Sequence, residues 1–301
     1  MDVKKTRAKH NCMKCKFVPC INLYREVKNG EGGELHLYES TVKNRIHTPC
    51  EFGILIECLC QLSVPISEAL SFEMYNQCIR DLRTVSFLVL TGHYRNAMQI
   101  MRPVIENFLC GLYWDKKLSE CPDEETQQAV VEEYEKFKKQ DKYLVPYEDR
   151  IVAFPSDEQK RKKEYLDHDF LTAWLLHKGV INRKNKSELE KRIGTLNRFM
   201  HPAYKTTDFA RAKCTSCPSC VALDEAEYTR CIKLFQDTTT LLLSTFHEYI
   251  VAFWPEKLKD PGVREALDMI QDIYRLETEI ERQLVFSTHL KEFIGSLENS
   301  R

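Results

Sequence analysis

Two short cysteine clusters, Cys12-Met-Lys-Cys15 and Cys214-Thr-Ser-Cys217-Pro-Ser-Cys220, stand about 200 residues apart in the chain. A CxxC turn points both sulfurs one way, and two such turns supply the thiolate tetrahedron that zinc prefers. The expectation is one structural zinc ion held by four thiolates from Cys12, Cys15, Cys214, Cys217 and Cys220, with Cys20 as a further spare thiol. Which four bind is open. An iron–sulfur cluster is the rival, because Cys214-x2-Cys217-x2-Cys220 begins like a ferredoxin run. That run continues with a fourth cysteine and a proline, whereas the position four beyond Cys220 is Asp224. Reduced cysteines without metal are the third reading.

A second constellation lies on the stretch GHYRNAMQIMRPVIENFLCGLYW. Tyr94, Met98, Met101, Ile105, Phe108 and Leu112 form an apolar helical stripe. Arg95, Gln99, Arg102 and Glu106 fall at i, i+4, i+7 and i+11, a single polar ribbon on another face. Pro103 removes an amide donor in mid-helix, which frees a carbonyl and predicts a kink. About a hundred residues later, KRIGTLNRFMHPAY carries Leu189, Ile193, Leu196 and Met200 as its stripe. Asn197 and His201 sit one turn apart on its polar side, with His201 before Pro202 on the last turn. There the helix dipole favours a protonated imidazole, and Arg198 opposes it. Each feature also has a plain structural reading: a solvated face with an Arg102–Glu106 pair, and a histidine serving as a C-terminal cap.

The pair YRNAMQIMRPVIE and LNRFMHP resembles a broad group of prokaryotic helical proteins that are similar to HEPN domains, many of them dimeric ribonucleases. The resemblance spans about residues 66–254 and, position by position, points to Arg102, Glu106, Asn197 and His201, with Arg95 nearby. It implies an all-α fold and a metal-independent ribonuclease as the possible activity. In such an enzyme a histidine abstracts the 2′-hydroxyl proton while an arginine steadies the charge growing on the phosphate. One departure stands out. The HEPN ribonuclease motif spaces arginine from histidine by more than the two residues after Arg198 and fewer than the eight after Arg192. The competing class is a non-catalytic helical scaffold or sensor with a structural zinc, in which the same ribbon locks two helices together.

These residues must be positioned by an ordinary globular chain. At 301 residues, 43% hydrophobic and 30% charged, it can bury a sizeable core as one domain or two. Ten glycines and 11 prolines leave little material for an all-β fold. No run of 18 apolar residues predicts a membrane span, and the basic N-terminus lacks the apolar region of a signal peptide. A cytoplasmic protein with its 13 cysteines reduced is therefore expected. The net charge of −1 hides a split: residues 183–213 carry nine basic residues against three acids, and residues 1–16 six against one. RNA or another anionic ligand is the expected partner of the 183–213 region. No P-loop, GxGxxG, HExxH or GxSxG motif occurs.

The expected architecture is an all-α multi-helix bundle with a small N-terminal zinc-ribbon-like element. Residues 1–48 form that element, with INLYREV and ELHLYES as a β-hairpin around KNGEGG. Residues 49–257 form the helical core, carrying the cysteine-bearing insert 204–220. Within it, helices are expected from Pro49 to near Pro65, Ser67 to Leu90, His93 to Leu118, Asp123 to Tyr143, Asp157 to His177 and Leu223 to Trp254. Ser187 to His201 opens with a Ser187–Glu190 capping box, and Val145 to Pro155 is expected as a loop. Cys58, Cys60, Cys78, Cys110 and Cys231 are expected in the core. Residues 258–301 form a last helix, begun by Asp260-Pro261 and roughly 55 Å long at the helical rise. That length outruns a compact domain, so a homodimer is expected.

Overall fold

The computed structural model describes residues 47–63, 70–139, 143–162, 164–200, 225–265 and 268. The expected N-terminal hairpin, the 204–220 insert and most of the expected last helix lie outside the described residues. Those described are overwhelmingly helical, and their only β pairing is an isolated antiparallel bridge between Leu144 and Tyr165.

Nine α-helices and one 3-10 turn follow in order among the described residues. α1 spans His47–Ser63, α2 Phe72–Leu90, α3 Tyr94–Ser119 and α4 Glu124–Lys138. Two short helices come next, α5 at Tyr147–Ala153 and α6 at Glu158–Arg161. α7 spans His168–His177, α8 Arg183–Met200 and α9 Glu225–Phe253, before the 3-10 turn Pro255–Lys259. No described helix is long and apolar enough to cross a membrane.

The helix ends follow from local chemistry. α2 closes on Gly92 at φ 80°, whose amide donates to the Val89 carbonyl while His93 donates to Leu88. α7 closes the same way on Gly179 at φ 70°, with Gly179 donating to Leu176 and Val180 to Leu175. Both are Schellman endings, in which glycine takes the left-handed position that a Cβ disfavours. Asp123, Asp157 and Asp167 accept from the amides of Thr126, Lys160 and Phe170 and cap α4, α6 and α7.

Three expectations need correction. The Val145–Pro155 stretch holds α5 rather than a loop, started by Pro146 and supported by burial of Ala153. The single helix from Asp157 to His177 is two, separated by an extended stretch where Val145 donates to the Glu164 carbonyl. α8 begins at Arg183, because Asn182 rather than Ser187 is the cap, its Oδ1 accepting from the Asn185 amide at 2.8 Å. Ser187 is thus interior, and Glu190 pairs with Lys186 at 2.7 Å.

α3 is the central element, packing against α2, α4, α7, α8 and α9. Its expected stripe, Tyr94, Met98, Met101, Ile105, Phe108 and Leu112, is wholly buried, and from Phe108 to Lys116 every residue is buried. α2 lies antiparallel to it, with Cys78 donating to the Val104 carbonyl and Tyr75 crossing over Gly111. A Cβ on Gly111 would stand 2.6 Å from the Tyr75 ring, so this crossing requires glycine. The remaining face is aromatic, Tyr113 standing edge-on to Trp114 and Trp174 at 5.0 and 4.7 Å.

Candidate functional site

The polar ribbon of α3 runs along the edge of this core and meets α8 and α9. Arg102 and Glu106 form the expected one-turn pair, Nε to Oε1 at 2.9 Å, both partly exposed. Gln99 is spent differently: its Nε2 donates to the Phe199 carbonyl at 3.0 Å. That bond sets the ribbon against the last turn of α8. Among the described residues, neither the buried Nε of Arg95 nor the buried Oδ1 of Asn197 has a hydrogen-bond partner. Pro103 sits inside a helix that continues unbroken from Tyr94 to Ser119.

α9 closes the seam. The Tyr94 and Tyr228 rings meet edge-on at 6.4 Å, and Cys231 donates to the Tyr94 carbonyl at 3.9 Å. The Arg230 guanidinium lies 5.8 Å from the Phe199 ring centroid. Arg192 of α8 pairs with Asp237 of α9 at 3.3 Å, with side chains only 13% and 11% exposed. Arg95, Arg102 and Glu106 are thus carried by α3 and Asn197 by α8, with Gln99 bonding the two helices. His201, the proposed base, lies outside the described residues, one position beyond the end of α8.

Asp237 is a site residue the sequence reading passed over. Gln236, Asp237, Thr238, Thr239 and Thr240 are buried in the middle of α9. The signal was there: an acid flanked by apolar and hydroxyl residues in mid-helix must find a partner when it is buried. Two further polar clusters, one buried and one half-buried, are also new. The Asp115 carboxylate accepts from the Ser71 amide at 3.2 Å, the Ser71 hydroxyl at 2.6 Å and the Tyr75 hydroxyl at 2.8 Å. Burial pushes its pKa up to about 6 against the lowering effect of those donors. Lys117 bridges Glu133 and Asp149, each at 2.8 Å, while Tyr113 donates to Asp149 at 2.9 Å and Tyr143 to Glu133. This network fastens α4 and α5 to α3.

The proposed zinc ligands Cys12, Cys15, Cys214, Cys217 and Cys220, with Cys20, lie outside the described residues. Among the described residues no group of three or more His, Cys, Asp or Glu side chains is placed to hold a metal. Cys58, Cys78, Cys110 and Cys231 are core residues as expected, and Cys60 is half-buried. Burial holds the thiols of Cys58, Cys78 and Cys231 far above their ordinary range and pushes Cys110 up to about 12. Protonated and enclosed, these four are packing groups rather than nucleophiles.

Comparison with protein-family models, curated proteins and solved structures gives no match for this chain.

Proposed function

We propose that the chain is a zinc-stabilised, HEPN-like helical protein that cleaves RNA without a catalytic metal. The observation carrying this reading is the Gln99–Phe199 hydrogen bond, which brings the arginine ribbon of α3 to the end of α8, next to His201 in the chain. In the proposed reaction His201 takes the proton from a ribose 2′-hydroxyl. The 2′-oxygen then bonds to the adjacent phosphorus as the bond to the 5′-oxygen of the next nucleotide breaks, leaving a 2′,3′-cyclic phosphate. Arg102, oriented by Glu106, steadies the charge on the phosphate oxygens, with Arg95 and Asn197 as further donors. The exposed cations Arg183, Lys184, Lys191 and Arg198 on α8 support an anionic partner along residues 183–213.

Zinc closing Cys12 and Cys15 onto two of Cys214, Cys217 and Cys220 would clasp the N-terminal segment to the insert that follows α8. Both basic regions would then share one side of the molecule. A cytoplasmic location and a homodimer through residues 258–301 complete the reading.

A non-enzymatic scaffold is the second reading, favoured by the nearly enclosed Arg192–Asp237 pair, which joins α8 to α9 as a structural lock. Single-stranded RNA incubated without added divalent metal separates the two. Degradation by the wild type but not by His201→Ala supports the enzyme; an intact RNA with both proteins leaves the scaffold.

A further inference from the structure

Away from the α3–α8–α9 seam, a cleft of about 440 Å³ opens between α2 and α4, floored by α3. Its walls follow from helical spacing. Glu73, Asn76 and Arg80 fall on successive turns along one side of α2, and Tyr134 and Lys138 lie one turn apart on α4. Asn107 of α3 lies between them. Lys138 is committed across the mouth, pairing with Glu73 at 3.5 Å and with Glu135 at 2.7 Å.

Gln77 is committed too, its Nε2 donating to Asp81 at 2.8 Å, and the remaining groups are not. Tyr134 is only 2% exposed, and among the described residues its buried hydroxyl has no hydrogen-bond partner. Among the described residues, no carboxylate pairs with the Arg80 guanidinium, and no group bonds the side-chain amides of Asn76 and Asn107. Enclosed polar atoms are ordinarily satisfied, because leaving one unmade costs about 1–3 kcal/mol. The Tyr134 hydroxyl departs from that rule at the cleft, where half-buried Asn76 and Asn107 and exposed Arg80 stand beside it on α2 and α3. The cleft's volume also falls within the range that takes small ligands.

We propose that this cleft binds a small organic anion, its phosphate or carboxylate head on Arg80 and its hydrogen-bonding body against Asn76, Asn107 and Tyr134. The cleft is independent of the proposed ribonuclease site, and the proposal stands without it.

The test is isothermal titration of the full chain with adenosine monophosphate, succinate and inorganic phosphate. Saturable binding of adenosine monophosphate or succinate at one site per chain is expected, weakened on the order of tenfold by Arg80→Gln and by Asn107→Ala. Both positions are at least partly exposed, so thermal unfolding should be unchanged in either variant. The tighter of the two ligands identifies the head group as phosphate or carboxylate. No binding of either in the millimolar range would overturn the proposal, as would binding that survives both substitutions. So would inorganic phosphate binding as tightly as the organic anions, since charge alone would then suffice.

Discussion

Replacing Asp115 tests how the core holds a buried carboxylate on one amide and two hydroxyls. The carboxylate is held by Ser71, at the start of α2, and by Tyr75 one turn on. Asp115→Ala would leave one amide and two hydroxyls buried without an acceptor. At about 1–3 kcal/mol for each unmet group, partly offset by losing a buried charge, a net cost of about 3–5 kcal/mol is expected. Asp115→Asn keeps the oxygen facing Ser71 and can donate to the Tyr75 oxygen, so it should cost less than about 1 kcal/mol at neutral pH. The pH dependence has a defined sign. Burial raises the carboxyl from 3.8 to about 6, so folding takes up a proton between those values. The stabilisation from this group is fully present below the unfolded value and is lost as pH rises through about 6, a change of about 3 kcal/mol. Other carboxylates titrate nearby, so the quantity to follow is the wild-type stability minus that of Asp115→Asn. Urea unfolding monitored by circular dichroism between pH 4 and 7.5 should show this difference falling as pH rises. A flat difference, or an Asp115→Ala cost below about 1 kcal/mol, would refute the reasoning.

Two glycines offer a paired test. Gly111→Ala should destabilise by about 1–3 kcal/mol because its Cβ meets the fixed Tyr75 ring, whereas Gly194→Ala meets nothing within 4 Å and should stabilise by about 1 kcal/mol. Thermal melts that move both the same way would contradict this packing. Lys117→Met should cost about 3 kcal/mol in urea unfolding, since it strands Glu133 and Asp149 together, while adding Asp149→Asn should recover part of it. Elemental analysis should find about one zinc per chain, lost in Cys12→Ser and Cys217→Ser; a metal-free chain would remove zinc from the account.

The features legible in the sequence were those repeated by helical geometry. The α3 stripe from Tyr94 to Leu112 was visible because six apolar residues recur at one spacing, and all six are buried. The Arg102–Glu106 pair was visible because its partners lie on neighbouring turns of one helix. Asp115 and Lys117 were not, because their partners come from residues 44 positions earlier and 16 and 32 positions later. Without knowledge of which helices meet, such residues look like surface charges. Ser187 misled because a capping box is a short pattern that helix interiors also contain, and Asn182 was fixed as the cap by contacts beyond that pattern. Its side chain also donates to Glu248 on α9 at 3.0 Å. The seven-residue α5 is too short to display a period.

The claim that matters most is that the α3–α8 seam performs 2′-hydroxyl chemistry. A DNA oligonucleotide containing a single ribonucleotide tests it directly, incubated without added divalent metal and resolved to single-nucleotide length. The account predicts one cut, immediately 3′ of the ribonucleotide, ending in a 2′,3′-cyclic phosphate. The rate should fall by at least about a hundredfold in both His201→Ala and Arg102→Ala, with folding unchanged. An intact strand, cuts at deoxynucleotides, or equal rates in the wild type and both variants would contradict it.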